Sequence, residues 1–179
     1  MIKFKLTNLQ ENILRFLFIQ MGKSFNARRL AKLLNVSQPA ISKALALLKK
    51  EKLVLIKKDK DSKQLKIELN RENPRVLGLK RAENLKLIYE SGLAEFLEEK
   101  FPGSTVILFG SYSGGDDYYN SDIDIAIIES KYKEIDLKKF EKVLEKEIRI
   151  NFYRSWKDIH KNLRNNILNG IVLEGGVEL

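Results

Sequence analysis

The fold of the second half of the chain is predicted by one segment, TVILFGSYSGGDDYYNSDIDIAII, residues 105–128. It begins with the apolar run Thr105–Phe109, passes at once into Gly110-Ser111, and continues through a glycine-rich polar stretch. It ends with Asp122-Ile123-Asp124, which runs into four further apolar residues. Short apolar runs bounded by turn residues are typical of buried strands. The segment therefore predicts two buried strands joined by a polar connection.

The spacing of the two acids predicts a phosphate and metal site. Asp122 and Asp124 would lie on one face of a strand because successive side chains alternate. Two adjacent carboxylates repel each other unless a divalent cation lies between them, and Mg²⁺ (or Mn²⁺) accepts such oxygen ligands together with phosphate oxygens. Gly110 would let the backbone approach a phosphate, and Ser111 could donate a hydrogen bond to it. The residues themselves thus point to a divalent cation at Asp122 and Asp124 and to a phosphate at Gly110 and Ser111, whereas Asp-x-Asp alone would indicate a solvated strand end.

The pair Gly110-Ser111, ten residues, and then Asp122-x-Asp124 resembles the signature of the nucleotidyltransferase fold, the polymerase-β-like superfamily. The chain is most similar to the small, minimal nucleotidyltransferases of archaea and bacteria, over residues 91–179. This resemblance implies an enzyme that uses Mg²⁺ (or Mn²⁺) and a nucleoside triphosphate (NTP). Asp122 and Asp124 would be its catalytic and metal-binding residues, and Gly110 and Ser111 would bind the nucleotide. The implied reaction moves a nucleoside monophosphate onto a hydroxyl of a protein, an RNA or a small molecule.

The sequence departs from this family at the third carboxylate, which the family adds from a later strand. The next predicted strand here is 148–152, and its outward positions carry Arg149 and Asn151. Glu147 could serve only if the strand begins early. Whether the protein transfers nucleotides therefore stays open at this point.

The loop between the two predicted strands is acidic. Residues 112–120 include Asp116 and Asp117 and contain neither Lys nor Arg. We expect this loop to make the site more negative than the usual family pattern and less favourable to an NTP before metal binds.

The first half of the chain has a different pattern, centred on FNARRLAKLLNVSQPAISKALALLKKEKLVLIKK, residues 25–58. Capping residues and helical periodicity predict three helices, and the period then changes to that of strands flanking a charged turn. The order of three helices followed by a hairpin is that of a winged helix-turn-helix. The predicted helices cover 8–21, 26–34 and 37–50, and the predicted strands cover 53–58 and 64–69.

This half resembles the MarR/ArsR-like winged-helix DNA-binding domains over residues 7–70. The resemblance makes the helix that begins at Ser37 the recognition helix, with its N-terminal residues at base edges in the major groove. Clustered lysines also suit phosphates, and a glutamine can bond an adenine edge. The predicted DNA contacts are Ser37, Gln38, Ser42 and Lys43 on the helix, and Lys57, Lys58, Lys60 and Lys63 on the hairpin.

The charge is unevenly distributed along the chain. Residues 1–80 carry 19 Lys and Arg against 6 Asp and Glu, a net of +13, whereas residues 81–179 carry 14 against 18, a net of −4. A basic half joined to a mildly acidic half favours a module that binds a polyanion such as duplex DNA. A solvated basic surface, or a winged helix that binds protein, remains the alternative.

The composition excludes several other kinds of chemistry. The 179 residues include no cysteine, which excludes a disulfide framework, a thiolate nucleophile and a Cys-ligated metal site. His160, the one histidine, argues against a His-rich metal site or a Ser–His triad. The chain has no run of about 18 apolar residues and no signal-peptide pattern. We expect a cytoplasmic protein without a membrane partner.

The remaining segments predict a connector and a helical tail. Asn73-Pro74 signals a helix that continues to about residue 90, and we expect a homodimer through this connector. Further predicted elements are a helix over 93–101, a helix over 137–146, a helix that begins at Ser155, and a strand over 171–173. The predicted domains are a winged helix at 1–72, a connector at 73–90 and a nucleotidyltransferase domain at 91–179.

The sequence as a whole predicts an α+β protein, with an N-terminal winged helix-turn-helix and a C-terminal nucleotidyltransferase fold of mixed β-sheet and helices. The first hypothesis is a DNA-binding transcriptional regulator whose second domain binds Mg-nucleotide. The alternative is an active nucleotidyltransferase that the winged helix recruits or regulates. A third hypothesis is a protein that binds or modifies a protein partner.

Overall fold

The computed structural model describes residues 5–59 and 64–177 of this α+β protein. The chain divides into two compact units, residues 1–80 (unit 1) and residues 81–179 (unit 2). The division falls inside helix α4, Pro74–Glu90, so the predicted connector contributes residues to both units.

Unit 1 is a winged helix-turn-helix. Its two strands form an antiparallel hairpin. An isolated antiparallel bridge joins Phe25 to Ile67 of the second strand. The predicted order of elements is confirmed, and no predicted bound differs from the observed one by more than two residues. The elements are α1 (Asn8–Ile19), α2 (Ala27–Leu33), α3 (Gln38–Lys50), β1 (Val54–Lys58) and β2 (Leu65–Leu69).

The helices of unit 1 begin where the sequence predicts because polar side chains cap their free N–H groups. Thr7 and Gln10 form a reciprocal capping box at α1. Asn26 Oδ1 accepts from the Arg29 N–H at 2.8 Å, and Ser37 Oγ accepts from the Ala40 N–H at 3.3 Å. These caps fix the start of α2 and α3, and therefore the direction of α3.

The core of unit 1 joins all three helices to the hairpin. Its fully buried residues come from each helix and from both sides of the wing, so the wing is packed on the helices by apolar contact. Its most deeply buried members include Ile13, Leu17, Leu30, Ile41, Leu48, Leu53 and Ile67.

Unit 2 is built around a four-stranded sheet in the order β5-β4-β3-β6. The β4–β5 pair is parallel, and β3 pairs antiparallel with both β4 and β6. The elements that follow α4 are α5 (Leu93–Lys100), β3 (Thr105–Phe109), α6 (Gly110–Gly114), β4 (Ile123–Ile128), α7 (Lys138–Leu144), β5 (Ile148–Tyr153), α8 (Lys161–Leu168) and β6 (Ile171–Glu174).

The two faces of this sheet are covered by different apolar clusters. Ile123, Ile125 and Ile127 of β4 face a cluster that includes residues of α5 and α7. Ala126 and Ile128 face the other cluster, which includes Trp156 and Ile167. Because side chains alternate along a strand, Asp122 and Asp124 lie on the same sheet face as Ala126. They lie beyond the end of the apolar cluster that covers this face.

Two elements differ from the sequence prediction. The predicted helix from Ser155 is wrong at its start: residues 156–158 form a 3-10 turn, and α8 begins only at Lys161. Ser155 and Asp158 close a capping box on that short turn, and Ile159 then adopts an extended conformation that interrupts the helix. The stretch after β3, predicted as a loop, begins with the short helix α6.

Within the described ranges, every helix is too short or too polar to cross a membrane.

Candidate functional site

The turn from β3 into α6 places Gly110 against the carboxylate of Asp124. Phe109, the last residue of β3, is paired with Asp124 across the antiparallel ladder, so Gly110 follows directly beside it. Gly110 has a φ of +73°, and a Cβ atom at this position would lie 2.8 Å from Asp124 Oδ2. Glycine is therefore required here for two reasons: the backbone has a positive φ, and the carboxylate of Asp124 leaves no room for a Cβ atom. The missing side chain leaves a small cradle beside Asp124.

Ser111 lies in the first turn of α6, next to this cradle, and is partly exposed. The backbone carbonyl of Ser111 accepts from the N–H groups of Gly115 and Asp116, which folds the glycine-rich stretch back on itself. Ser113 Oγ donates to the Gly110 carbonyl at 2.8 Å and secures the same turn. The predicted nucleotide-binding pair thus lies in one tightly hydrogen-bonded turn.

The two acids lie close enough to influence each other. Burial raises the pKa of the Asp124 carboxyl, the negative charge of Asp122 raises it further, and the positive charge of Arg149 opposes both effects. The folded protein therefore stabilises the ionised form of Asp124 less well than water does. A cation placed at the pair would relieve that repulsion.

Arg149 occupies the strand position beside Asp124. The parallel register pairs Asp124 with Arg149 and Ala126 with Asn151, so Asn151 lies further along the strand from the acids. Arg149 Nη1 lies 2.8 Å from Asp122 Oδ2, and Arg149 Nε lies 3.5 Å from Glu147 Oε1. The residue that faces the acid pair from β5 is therefore an arginine.

The residues present fit one divalent cation. Asp122 and Asp124 offer carboxylate oxygens on one face, and the Gly110 cradle leaves space beside Asp124 Oδ2. Over residues 5–59 and 64–177, however, no three His, Cys, Asp or Glu side chains are placed to share a metal ion. A cation bound here would take its further ligands from phosphate and water.

A buried polar network holds the loop between α6 and β4, and sequence reasoning missed it. Asp117 is fully buried, with its Oδ2 3.1 Å from Lys146 Nζ and its Oδ1 accepting from Asn84 Nδ2 at 2.7 Å. Lys146 Nζ also donates to the carbonyls of Tyr118 at 2.6 Å and Ser121 at 3.2 Å. The loop is thus tied down immediately before Asp122.

This network corrects the expectation that Asp116 and Asp117 both add negative charge beside the site. Asp117 is compensated inside the protein by Lys146, whereas Asp116 remains exposed. The sequence contains no local pattern that joins Asp117 to Lys146, because the two residues meet only through the tertiary fold.

The polar face of α3 in unit 1 carries the predicted base-contacting residues. Gln38, Ser42 and Lys43 are all exposed, while Ile41 and Leu45 anchor the opposite face. Ser37 is exposed too, but its hydroxyl caps the helix. Ser42 Oγ donates to the Gln38 carbonyl at 3.2 Å. The face is therefore solvent-accessible, with Gln38 and Lys43 as its longest polar side chains.

The hairpin presents lysines that are already partly compensated. Lys57 and Lys66 are directly opposite across the strands; Lys57 Nζ lies 2.7 Å from Glu68 Oε1, and Lys66 pairs with Asp59. Lys58 is exposed at the end of β1. The other two predicted contacts, Lys60 and Lys63, lie outside the described residues.

Helix α2 adds a basic surface that the sequence-based assignment of DNA contacts left out. Its exposed cations line an open surface depression together with Asn26 and Leu33; they are Arg28, Arg29 and Lys32. Their outward spacing on a short helix was visible in the sequence and is the signal that could have identified them.

Comparison with known protein families gives a match for the part of the chain that contains the acid pair. Residues 90–173 match the nucleotidyltransferase domain family. The match covers β3, α6 and β4, and thus the whole stretch from Gly110 to Asp124. Over these residues, unit 2 is therefore similar to a nucleotidyltransferase domain.

Solved structures that are similar to part of the chain include those of two bacterial proteins. The adhesin competence repressor AdcR from Streptococcus pyogenes is 32% identical, covers 54% of this chain and 69% of its own, and has a TM-score of 0.39. A point mutant of ZitR from Lactococcus lactis is 24% identical, covers 56% of this chain and 66% of its own, and has a TM-score of 0.40. The present chain thus spans about two thirds of either protein. No protein with a curated description matches it.

Proposed function

We propose that this protein is a homodimeric, DNA-binding transcriptional regulator whose nucleotidyltransferase domain binds a nucleotide with one Mg²⁺ (or Mn²⁺) ion. The single observation that carries the first part is the exposed polar face of α3, which is set beside basic surfaces in a unit of net charge +13. Duplex DNA is the partner because that arrangement matches both the groove and the phosphates.

The face of α3 fits the major groove by size and chemistry. A helix of this length enters the groove, and its apolar side is held by the core of unit 1 at Ile41, Leu45 and Leu48. Gln38 can donate to and accept from an adenine edge, and Lys43 can reach a guanine or a phosphate. Ser37 serves as the cap that presents this helix.

The cations outside α3 account for affinity rather than sequence preference. Arg28, Arg29 and Lys32 of α2 and Lys58 of the hairpin are exposed, and such groups bind phosphates without reading bases. Each phosphate that they neutralise releases counter-ions, so binding should weaken steeply as salt increases.

The DNA-binding proposal is tested by fluorescence polarisation with labelled duplexes, over a range of salt concentrations. We expect log K to fall linearly with log salt, by about 0.9 for each phosphate contact. Lys43→Gln should weaken binding at least several-fold, whereas Lys142→Gln, an exposed lysine on α7 of unit 2, should leave it unchanged. Equal losses in the two variants, or no binding of any duplex at low salt, would contradict the proposal.

The nucleotide-binding part of the proposal rests on the turn at Gly110 and the acid pair. The cradle beside Asp124 and the amides of α6 offer space and donors for a phosphate, and Asp122 and Asp124 offer the oxygen ligands for the cation. The bound cation would offset the negative charge of both the acids and the phosphates.

Transfer of the nucleotide is the alternative function, and Arg149 argues against it. The strand position that faces the acid pair holds a guanidinium, which cannot accept a proton from an attacking hydroxyl. Incubation with labelled ATP or CTP, Mg²⁺ and cell extract distinguishes the two functions. We expect no covalent label; label that is incorporated by the wild type and lost in Asp122→Asn would establish the enzyme instead.

Thermal melting of the full chain tests nucleotide binding directly. Mg²⁺ with ATP should raise the melting temperature of the wild type, because a ligand that binds only the folded state stabilises it. Asp124→Asn should abolish that increase while raising the melting temperature without ligand, since the disfavoured negative charge is removed. An unchanged response to Mg-ATP in this variant would show that Asp124 is not part of the site.

A further inference from the structure

Arg149 forms an ion pair with Asp122 in the candidate nucleotide site. Its backbone lies on β5, in register with Asp124 on the parallel neighbour β4, so the two side chains leave the same face of the sheet. The guanidinium reaches back to Asp122, with Nη1 2.8 Å from Oδ2. The arginine is thus placed by strand register between the two acids and Glu147.

This ion pair places one positive charge where a divalent cation would otherwise be attracted. Asp122, Asp124 and Arg149 together carry a net charge of −1, compared with −2 for the two acids alone. A metal ion that approaches Asp122 must displace the guanidinium or share the carboxylate with it. The attraction of the pair for a free divalent cation is therefore reduced.

The arginine is only partly buried, so it can exchange partners. Its side chain is 58% exposed, whereas that of Asp122 is 25% exposed. A guanidinium binds phosphate oxygens through two parallel hydrogen bonds, in the same geometry that it uses for a carboxylate. A phosphate bound at the Gly110–Ser111 turn would offer such a partner close to Asp122.

We propose that Arg149 makes metal binding at Asp122 and Asp124 depend on a bound nucleotide. Without a nucleotide, the arginine holds Asp122 and the acid pair binds divalent cations weakly. When a nucleoside triphosphate binds, its phosphates take over the guanidinium and release Asp122 to the cation. This inference rests on the nucleotide-binding part of the proposed function, and it predicts positive coupling between the two ligands.

The same exchange makes the domain a sensor of the nucleotide. Asp122 and Asp124 would bind the cation tightly only when the nucleotide is present, because Arg149 then pairs with the phosphates instead of with Asp122.

The test compares Mn²⁺ binding alone with nucleotide binding at saturating Mg²⁺, in the full chain. Free Mn²⁺ is measured by electron paramagnetic resonance and ATP by calorimetry. In Arg149→Gln we expect Mn²⁺ alone to bind several-fold more tightly and ATP to bind at least ten-fold more weakly. Arg149→Asp should bind Mn²⁺ at least ten-fold more tightly, because the introduced carboxylate would join those of Asp122 and Asp124 as a ligand. Arg154→Gln, an exposed arginine just after β5, serves as the control and should change neither affinity.

The decisive result is that Arg149→Gln strengthens the binding of Mn²⁺ and weakens the binding of ATP. A purely structural role for Arg149 would weaken metal and nucleotide binding together, and that outcome would overturn the inference. Unchanged Mn²⁺ affinity in both Arg149 variants would overturn it as well, even if ATP binds. If no variant binds ATP while Arg149→Asp and Arg149→Gln bind Mn²⁺ more tightly, the nucleotide part of the proposed function fails but the hold of Arg149 on Asp122 stands.

Discussion

At the scale of single residues, the stability of unit 2 and the shape of its site depend on one buried ion pair. Lys146 and Asp117 are removed from water, and the lysine donates to two loop carbonyls in addition to pairing with the acid. A buried pair contributes little compared with an apolar replacement of both partners, but it is costly to break from one side. Lys146 thus acts as a positioning residue for the loop that leads into Asp122.

Replacement of Lys146 by methionine should lower the free energy of unfolding by about 3–5 kcal/mol, because Asp117 would keep a buried, uncompensated charge. Asp117→Asn in the same background should recover part of the loss. Chemical denaturation of both variants measures the effect. The matched control is Lys142→Met on α7, where the exposed side chain predicts a change within about 0.5 kcal/mol. A loss below about 1 kcal/mol in Lys146→Met would show that the pair does not hold the loop.

At the scale of elements, the return of the chain from α8 into β6 depends on a glycine. A Cβ atom at Gly170 would overlap the Leu108 carbonyl oxygen and lie 2.9 Å from Ile107 Cγ2, both on β3. The backbone at Gly170 is therefore in close contact with β3, the strand that ends at Phe109. β6, which follows Gly170, is the edge strand that pairs with β3.

Gly170→Ala should destabilise the protein by about 1–3 kcal/mol, since β3 is fully buried and cannot move aside easily. Gly176→Ala is the natural control, because a Cβ there meets nothing within 4 Å. The comparison needs only the two denaturation curves. Equal stability of the two variants would contradict the close packing described for Gly170.

The elements also show how far the sequence alone could lead. The bounds of α3 follow from local chemistry, since Ser37 caps the helix and Pro39 suits its first turn, and strand alternation alone predicts the shared face of Asp122 and Asp124. The choice between Arg149 and Asn151 as the residue facing those acids needed the register of β4 and β5. Register is a property of two distant segments, which no local pattern specifies.

The tail and the loop illustrate the same limit. Apolar spacing after Ser155 favoured one helix, but a side-chain cap within three residues stabilised a separate short turn instead. Asp117 looked like a surface acid because its loop is polar, and its burial became visible only with Lys146 placed beside it.

At the scale of the whole molecule, one winged helix reads only half of a typical operator. Proteins of this kind gain affinity and specificity by placing two recognition helices in successive major grooves. Each chain has one set of the proposed DNA-binding surfaces on α2, α3 and the hairpin, so we expect tight binding to a long duplex to need a second copy.

The expected form in solution is therefore a homodimer. Light scattering after size-exclusion chromatography of the full chain should give twice the monomer mass, and saturating duplex should bind one dimer. A duplex that carries two half-sites, spaced one helical turn apart, should bind at least ten-fold more tightly than one half-site alone. A monomer that binds both duplexes equally would refute the dimeric assembly.

The cross-strand arrangement of the hairpin has a consequence for that titration. Lys57 and Lys66 already hold Glu68 and Asp59 as internal counter-ions, so DNA phosphates that displace these carboxylates release fewer dissolved ions than the lysines would suggest. The slope of log K against log salt concentration should accordingly be smaller than the number of basic side chains implies. Glu68→Gln should make this slope steeper, because Lys57 would then no longer have a carboxylate as its counter-ion.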